Sequence, residues 1–278
     1  MEISNNSKPK FWVSQAISLP SLIVYLTICL TLLISPLAFA QEGDTEEVIE
    51  SVTIIGSAED QKKLAGSGQI ISNADLLKAM DTDIQKILTA VPGVYMRTEE
   101  GYGLRPNISI RGTAIERSAK VAIMEDGVLV APSPYTSSSA YYFPTTGRIH
   151  SVEVLKGPAA VTQGPQTIGG AINLISTPIP NAPSGKFVQE LGENGMMRTH
   201  AYYGGTSGNF GGLVEVHEHE SDGFDSIANV GGDTGFDKSD LMVKGRYVNG
   251  NHSLTLKMVD LDETSNQSYV GLSQASFI

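Results

Sequence analysis

From Arg148 to Ser176 the chain reads RIHSVEVLKGPAAVTQGPQTIGGAINLIS, and this stretch limits the fold more than any other. Val152 and Val154 alternate around Glu153 as along a β-strand. The pattern breaks at Gly157-Pro158 and again at Gly164-Pro165, turns through Gly169-Gly170, and resumes as a strand from Ala171 to Ile175. Short strands joined by tight, fixed turns are expected.

With 278 residues and 41% hydrophobic content the chain can bury a core in one or two domains, which sets aside disorder and small disulfide scaffolds. The N-terminus has the layout of an export signal, residues 1–40. Lys8 and Lys10 precede an apolar run from Leu19 to Leu37, and Ala38-Phe39-Ala40 is an A-x-A cleavage site ahead of Gln41-Glu42. The run is long for a signal, and a transmembrane anchor is the other reading. Pro20 and Pro36 interrupt it and no basic cluster follows, so cleavage after Ala40 is expected. Cys29, the only cysteine, lies in this presequence behind Ile28, where a lipoprotein signal has a small residue. The mature chain then has no thiol, as suits an envelope protein. Losing Lys8, Lys10 and Glu2 takes 19 basic and 30 acidic residues to 17 and 29, net −12. Nucleic-acid binding, which needs clustered Lys and Arg, is not expected.

Val48-Ile49-Glu50-Ser51-Val52-Thr53-Ile54-Ile55-Gly56 is an alternating, β-branched run. On pattern alone it is either a pairing peptide or the first strand of the domain that follows. Residues 57–68 read as a polar linker. Ser72 and Asp75 have capping-box spacing ahead of Leu76, Leu77 and Met80, and a second helix start is expected at Thr82 with Gln85. Ile84, Ile87, Leu88 and Val91 then form one apolar face, ended by Pro92-Gly93. Val94 to Arg97 and Ile108 to Arg111 read as strands, and Val121 to Val130 as a hairpin turning at Asp126-Gly127. Gly101-Tyr102-Gly103 lacks the strand-loop-helix setting of a dinucleotide site and reads as a turn. Ala131 to Thr146 reads as an irregular loop.

The motifs AVPGV at Ala90, NISIRG at Asn107, AIMEDGV at Ala122 and the stretch from Arg148, in this order, resemble the plug domain of TonB-dependent outer-membrane receptors, with wording nearest the ferric-citrate type. The resemblance implies an α+β plug at 63–180, with short mixed strands and two or three short helices, behind a TonB box and linker at 41–62. Antiparallel transmembrane β-barrel strands would follow at 185–278. It implies a TonB box at Val48, Ile49, Glu50, Ser51, Val52, Thr53 and Ile54, which works by strand addition to TonB of the inner-membrane energising complex. Only seven residues separate Ala40 from Val48, too few for an added signalling domain.

After Pro183 five strands are expected, at 185–191, 197–203, 210–219, 240–248 and 253–260. Leu254, Leu256 and Met258 oppose Thr255 and Lys257; Leu241, Val243 and Tyr247 oppose Lys244 and Arg246. This period-2 pattern suits a barrel with a wet lumen, and equally a sheet over a soluble core. The plug ahead of it and the tight Asn249-Gly250 turn favour the barrel. Turns are expected at 205–209 and 249–251 on the periplasmic side, with an outer loop at 220–237. A plugged barrel has about 22 strands, so an incomplete barrel and a fragment of a longer receptor are expected.

No nucleophile-base set or phosphate loop is present, and enzyme activity is not expected. His217 and His219 share one strand face, with Glu218 and Glu220 between and after them, and Asp222 and Asp225 of the outer loop could in principle join them; without an identifiable third ligand a metal site is not expected there. The resemblance further implies that Arg111 and Lys156 lock the plug to acidic residues of the barrel wall lying beyond Ile278, Lys156 standing where arginine is common. It implies ligand contacts from Arg105, Arg117, Tyr135, Tyr141 and Tyr142. The implied cargo is a ferric siderophore or ferric citrate, whose iron arrives chelated, so no cofactor is expected. The implied place is the outer membrane of a Gram-negative bacterium, among its lipids. Other readings are an exported plug-like binding module without a pore, or a receptor for cobalamin, a glycan or nickel.

Overall fold

The computed structural model describes residues 53–56, 58–64, 66–79, 83–97, 101–130, 142–225 and 233–266, all within one contact unit, Glu47–Ile278. Val48 to Val52, Thr82, Tyr135, Tyr141 and the presequence lie outside the described residues. The chain runs through α1 (Ala58–Gln61), β1 (Ser67–Ile71), α2 (Asn73–Ala79), α3 (Ile84–Thr89), β2 (Val94–Arg97), β3 (Asn107–Ile110), β4 (Val121–Glu125), β5 (Val128–Leu129), β6 (Ile149–Lys156) and β7 (Gly170–Ser176). It continues into β8 (Ser184–Leu191), β9 (Met197–Ser207), β10 (Phe210–Ser221), β11 (Phe236–Asn249) and β12 (His252–Ser265).

The stretch from Arg148 to Ser176 supplies the middle of a five-stranded mixed sheet ordered β1-β6-β7-β4-β5. β6 is antiparallel to β1 and β7, whereas β4 runs parallel to β7. Both faces of the sheet are covered. On one, Val152, Val154, Ile172 and Leu174 pack with Ile84 and Leu88 of α3 and with Ile108 and Ile110 of β3. On the other, Leu155, Ala171, Ala122 and Met124 pack with Ile55 and Ala160. Alternation along β6 therefore marks two interiors rather than an interior and a solvent side, and Glu153 is only 2% exposed.

Local signals set most element ends. Ser72 and Asp75 form the reciprocal capping box, with Asp75 N donating to Ser72 Oγ and Ser72 N to Asp75 Oδ2. The start expected at Thr82 is capped instead by Asp83, whose carboxylate accepts from Gln85 N at 2.8 Å. An aspartate is a stronger cap than threonine, and it sits one residue later. The expected face of Ile84, Ile87, Leu88 and Val91 is buried throughout. Asp126 and Gly127 both take positive φ in the β4-β5 hairpin, as Asp-Gly predicts. The linker expected at 57–68 holds α1 and the start of β1, because Ile55 and Leu64 find apolar partners on the sheet.

β8 to β12 form a separate antiparallel meander in chain order. The strands outrun their predicted ends, β11 beginning at Phe236 and β12 reaching Ser265. β9 continues to Ser207, so the turn expected at 205–209 shrinks to Gly208-Asn209. Asn249 pairs with His252, which leaves Gly250-Asn251 as the turn in place of Asn249-Gly250. Gly250 has φ 58 at the first turn position, the conformation a type II′ hairpin demands there. The longer connections, 192–196 and 222–235, lie at the other end.

Burial in this wall is inverted relative to a soluble sheet. Phe187, Leu191, Tyr203, Phe210, Val214, Leu241, Val243, Leu254, Leu256 and Met258 face outward and are exposed. Glu215, His217, Lys238, Asp240 and Lys244 face inward and are buried. Apolar outside and charged inside is the arrangement hydrocarbon selects and water opposes. No helix among the described residues is long and apolar enough to cross a membrane, which says nothing of strands. Met258→Arg, in the middle of β12, is expected to cost about 2–4 kcal/mol in lipid vesicles, and a denaturant titration giving under about 0.5 kcal/mol would mean that this face meets water.

Candidate functional site

The two sheets meet along a polar seam. Arg148 ends a 3₁₀ turn, Thr146–Arg148, and the turn delivers its side chain into the interior at 1% exposure. Its guanidinium takes Glu125 in a fork, Nε to Oε1 at 3.1 Å and Nη2 to Oε2 at 2.8 Å, and also donates to Asp240 of β11. Tyr142 Oη accepts from the same Nη2 at 2.9 Å. From the wall, Lys257 Nζ reaches Glu125 and Asp126, each at 2.6 Å, and Lys244 Nζ stands 3.7 Å from Asp126. Thr145 Oγ1 donates to Asp240 at 2.5 Å, and Lys244 Nζ to the Thr177 carbonyl at 2.8 Å.

Three cations, Arg148, Lys244 and Lys257, thus meet three anions, Glu125, Asp126 and Asp240. Buried charges persist only when paired and hydrogen-bonded, and this cluster balances to zero. Burial by itself would raise the Glu125 carboxyl, but the Arg148 and Lys257 charges hold it below its ordinary value. Asp126 is likewise brought below its ordinary value against burial, by Lys244 and Lys257. Burial pushes the Tyr142 hydroxyl up.

A second contact lies toward the longer connections. Arg105 pairs with Glu263 of β12 at 2.7 Å, and Lys238 shares that carboxylate at 3.2 Å. Beside them the Tyr102 ring packs on Phe224 and Phe236 and its hydroxyl meets Ser221 at 3.0 Å. Between the contacts, Glu215 accepts from Thr177 at 2.9 Å and meets His200 at 2.6 Å. His217 is buried against Gly147, where a Cβ would stand 2.1 Å from its Nε2, so a side chain at 147 would require the imidazole to move. Among the described residues neither ring nitrogen of His217 has a hydrogen-bond partner, and no group of three or more metal-binding side chains gathers.

The predicted site residues fall in different places. Arg105 is at the seam, tied to Glu263. Tyr142 is half-buried on Arg148 rather than displayed. Arg117, at φ 51, is held through its backbone by Asn107, whose Oδ1 accepts from the Arg117 N–H at 2.6 Å. Arg111, also left-handed at φ 55, lies beside Gly157, and Lys156 Nζ donates to the Pro92 carbonyl at 2.9 Å. Burial, with the Arg111 charge second, lowers the Lys156 ammonium from its ordinary value. Among the described residues neither Arg111 nor Lys156 is ion-paired with a carboxylate of β8 to β12, where their expected partners were not placed; the ion pairs across the seam use Arg148, Lys244, Lys257 and Arg105. Arg148, Glu125, Asp126 and Asp240 were missed. Period-2 alternation could flag Lys244 and Lys257 as inward, but no sequence signal names their partners.

Three comparisons bear on this arrangement. Residues 60–171 match the family model of the TonB-dependent receptor plug domain. The iron-regulated outer membrane virulence protein of Vibrio cholerae is 31% identical over 159 residues, 55% of this chain and 24% of that protein. The vitamin B12 transporter BtuB of Vibrio vulnificus is 27% identical over 155 residues, again 55% and 24%. Among solved structures, the unliganded ferric citrate transporter FecA is similar with a TM-score of 0.66 at 23% identity, over 80% of this chain and 35% of that one. The siderophore receptor PirA of Acinetobacter baumannii is similar with a TM-score of 0.58 at 21% identity, over 74% and 33%. This chain therefore spans only 24% of the length of those curated relatives.

Because Glu125 and Asp126 bind protons less readily folded than unfolded, the stability they confer is present above the ordinary carboxylate range near pH 4 and is lost as pH falls through their depressed folded values. Asp240→Ala, which leaves Arg148 short of one carboxylate, is expected to cost about 3–5 kcal/mol in a denaturant titration at pH 7.

Proposed function

From the premise that this chain carries the plug domain of the TonB-dependent receptors, followed by part of a barrel wall, we propose that it serves the energised import of a ferric chelate across the outer membrane. The observation that carries this reading is the seam: a wall with its charged face turned inward, gripping the plug by ion pairs while its apolar face points away. In this mechanism a chelate binds at the end bearing the longer connections, which is the outer end. The pairing peptide Val48 to Ile54 is then taken up by TonB through strand addition, and the pull frees the plug from the wall. Transport of this kind makes and breaks no covalent bond in the cargo.

An iron chelate rather than another cargo is favoured by two things. A relative at 31% identity is named for iron regulation. Arg105 stands at the outer end of the seam, where an anionic, oxygen-rich complex would compete with Glu263 for its guanidinium. Arg117, Tyr135, Tyr141 and Tyr142 complete the proposed ligand contacts, and Arg111 with Lys156 a second lock to wall carboxylates. Export uses the presequence, and N-terminal sequencing of the envelope form is expected to begin at Gln41.

The cargo is tested by titrating the purified full-length receptor in detergent with ferric citrate, a ferric catecholate and cyanocobalamin. Saturable binding of a ferric complex is expected, weakened about tenfold or more by Arg105→Ala, the scale of one charged hydrogen bond. Binding of cyanocobalamin alone would replace iron by cobalamin, the cargo named for a second relative.

A further inference from the structure

Glu153 stands outside the seam, yet its carboxylate is 2% exposed and filled with donors. Oε2 accepts from the Ile54 amide at 2.7 Å, and Oε1 from the Ile55 and Gly56 amides at 3.1 and 3.0 Å. Asn173 Nδ2 adds a bond to Oε2 at 3.0 Å. Residues 54–56 belong to no strand or helix, so a side chain does for them what a β-ladder does elsewhere. The dependence is mutual. A buried carboxylate needs its lone pairs satisfied, and three consecutive backbone amides supply most of that here. Ile55 completes the attachment by entering the apolar cluster of Ala122, Met124, Leu155 and Ala171, at 5% exposure.

We propose that Glu153 is a positioning residue for energy transfer: it anchors residues 54–56 to the plug sheet and thereby sets the C-terminal limit of the peptide that a partner strand can take up. The inference rests on the TonB reading above. An amide committed to a charged acceptor is withheld from a β-ladder, so while Glu153 holds the Ile54 N–H, strand addition stops short of Ile54, and this last residue of the pairing peptide is taken up only once that bond is broken. The same anchor touches the seam at one remove. Asn173, which binds Glu153 through Nδ2, accepts through Oδ1 from Gly127 N at 2.9 Å, and the adjacent Asp126 is the residue that Lys257 of the wall holds. A pull on residues 54–56 is therefore applied first to a carboxylate that shares a partner with the Asp126-Gly127 turn.

Amide hydrogen exchange on the full chain in detergent tests the anchor without any partner. In the native chain the amides of Ile54, Ile55 and Gly56 are expected to be protected like those of β6, and exchange at the rate of free peptide would overturn the proposal. In Glu153→Gln the carboxamide offers one acceptor and turns a donor toward an amide, so exchange at 54–56 is expected to rise about tenfold or more while β7 is unchanged. Unchanged exchange in a folded variant would also overturn it; should the variant not fold, the native protection alone decides. The positioning role is read by capture of the purified TonB C-terminal domain, which Glu153→Gln is expected to accelerate about tenfold. Equal capture despite released amides would reduce Glu153 to a structural tie and sink the role proposed. Protection at 54–56 with no capture by either chain would refute the TonB reading and, with it, the role.

Discussion

The ion-pair cluster at the centre of the seam is arranged around Arg148, a guanidinium at 1% exposure held by Glu125 from the plug and Asp240 from β11. A charge so placed cannot be left with one partner, because desolvation is compensated only by complete pairing. The carboxylates that answer it need cations of their own, and Lys244 and Lys257 come from the wall to provide them. The constraint thus propagates until three positive and three negative groups are closed into one cluster. The plug and the wall each contribute charges that are unsatisfied without the other.

Such a seam differs in kind from the cores on either side of the plug sheet. Those cores are continuous apolar clusters, with Ile84, Ile108, Ile172 and Leu174 among the members that water never reaches. Between plug and wall the buried apolar cluster is small, consisting of Ile179, Leu213 and Met242 with Tyr202 beside them. Ion pairs are strong while dry, but each of their members is well solvated once water enters, whereas a separated apolar core gains no such compensation. A plug fastened by charge can be both well seated and removable.

Much of the fold was legible. Gly-Pro breaks between β-patterned runs located β6 and β7, Asp126-Gly127 located the β4-β5 turn, and the Ser72 box located α2, since each rests on backbone preferences within a few residues. Period-2 alternation placed Leu241, Val243, Leu254, Leu256 and Met258 on one side of the wall and Lys244 and Lys257 on the other. The same alternation was silent about which side was inside. It also gave no sign of what Glu153 holds, because β6 is buried on both faces and a carboxylate filled by the amides of residues 54–56 leaves no mark near position 153. Nor does any local pattern show that Ile55 joins the core, since its partners there, Leu155 and Ala171 among them, are distant in sequence.

By itself the sequence determined the order of the elements, their turns, and the segregation of charged from apolar residues on each strand, all of which follow from short-range geometry. Tertiary structure alone decided that the charged face points inward, that Arg148 answers both Glu125 and Asp240, and that Glu153 holds residues 54–56. Those pairings join residues from 23 to 99 positions apart. Their partners are chosen by which charges the fold removes from water together, a quantity that no local pattern encodes.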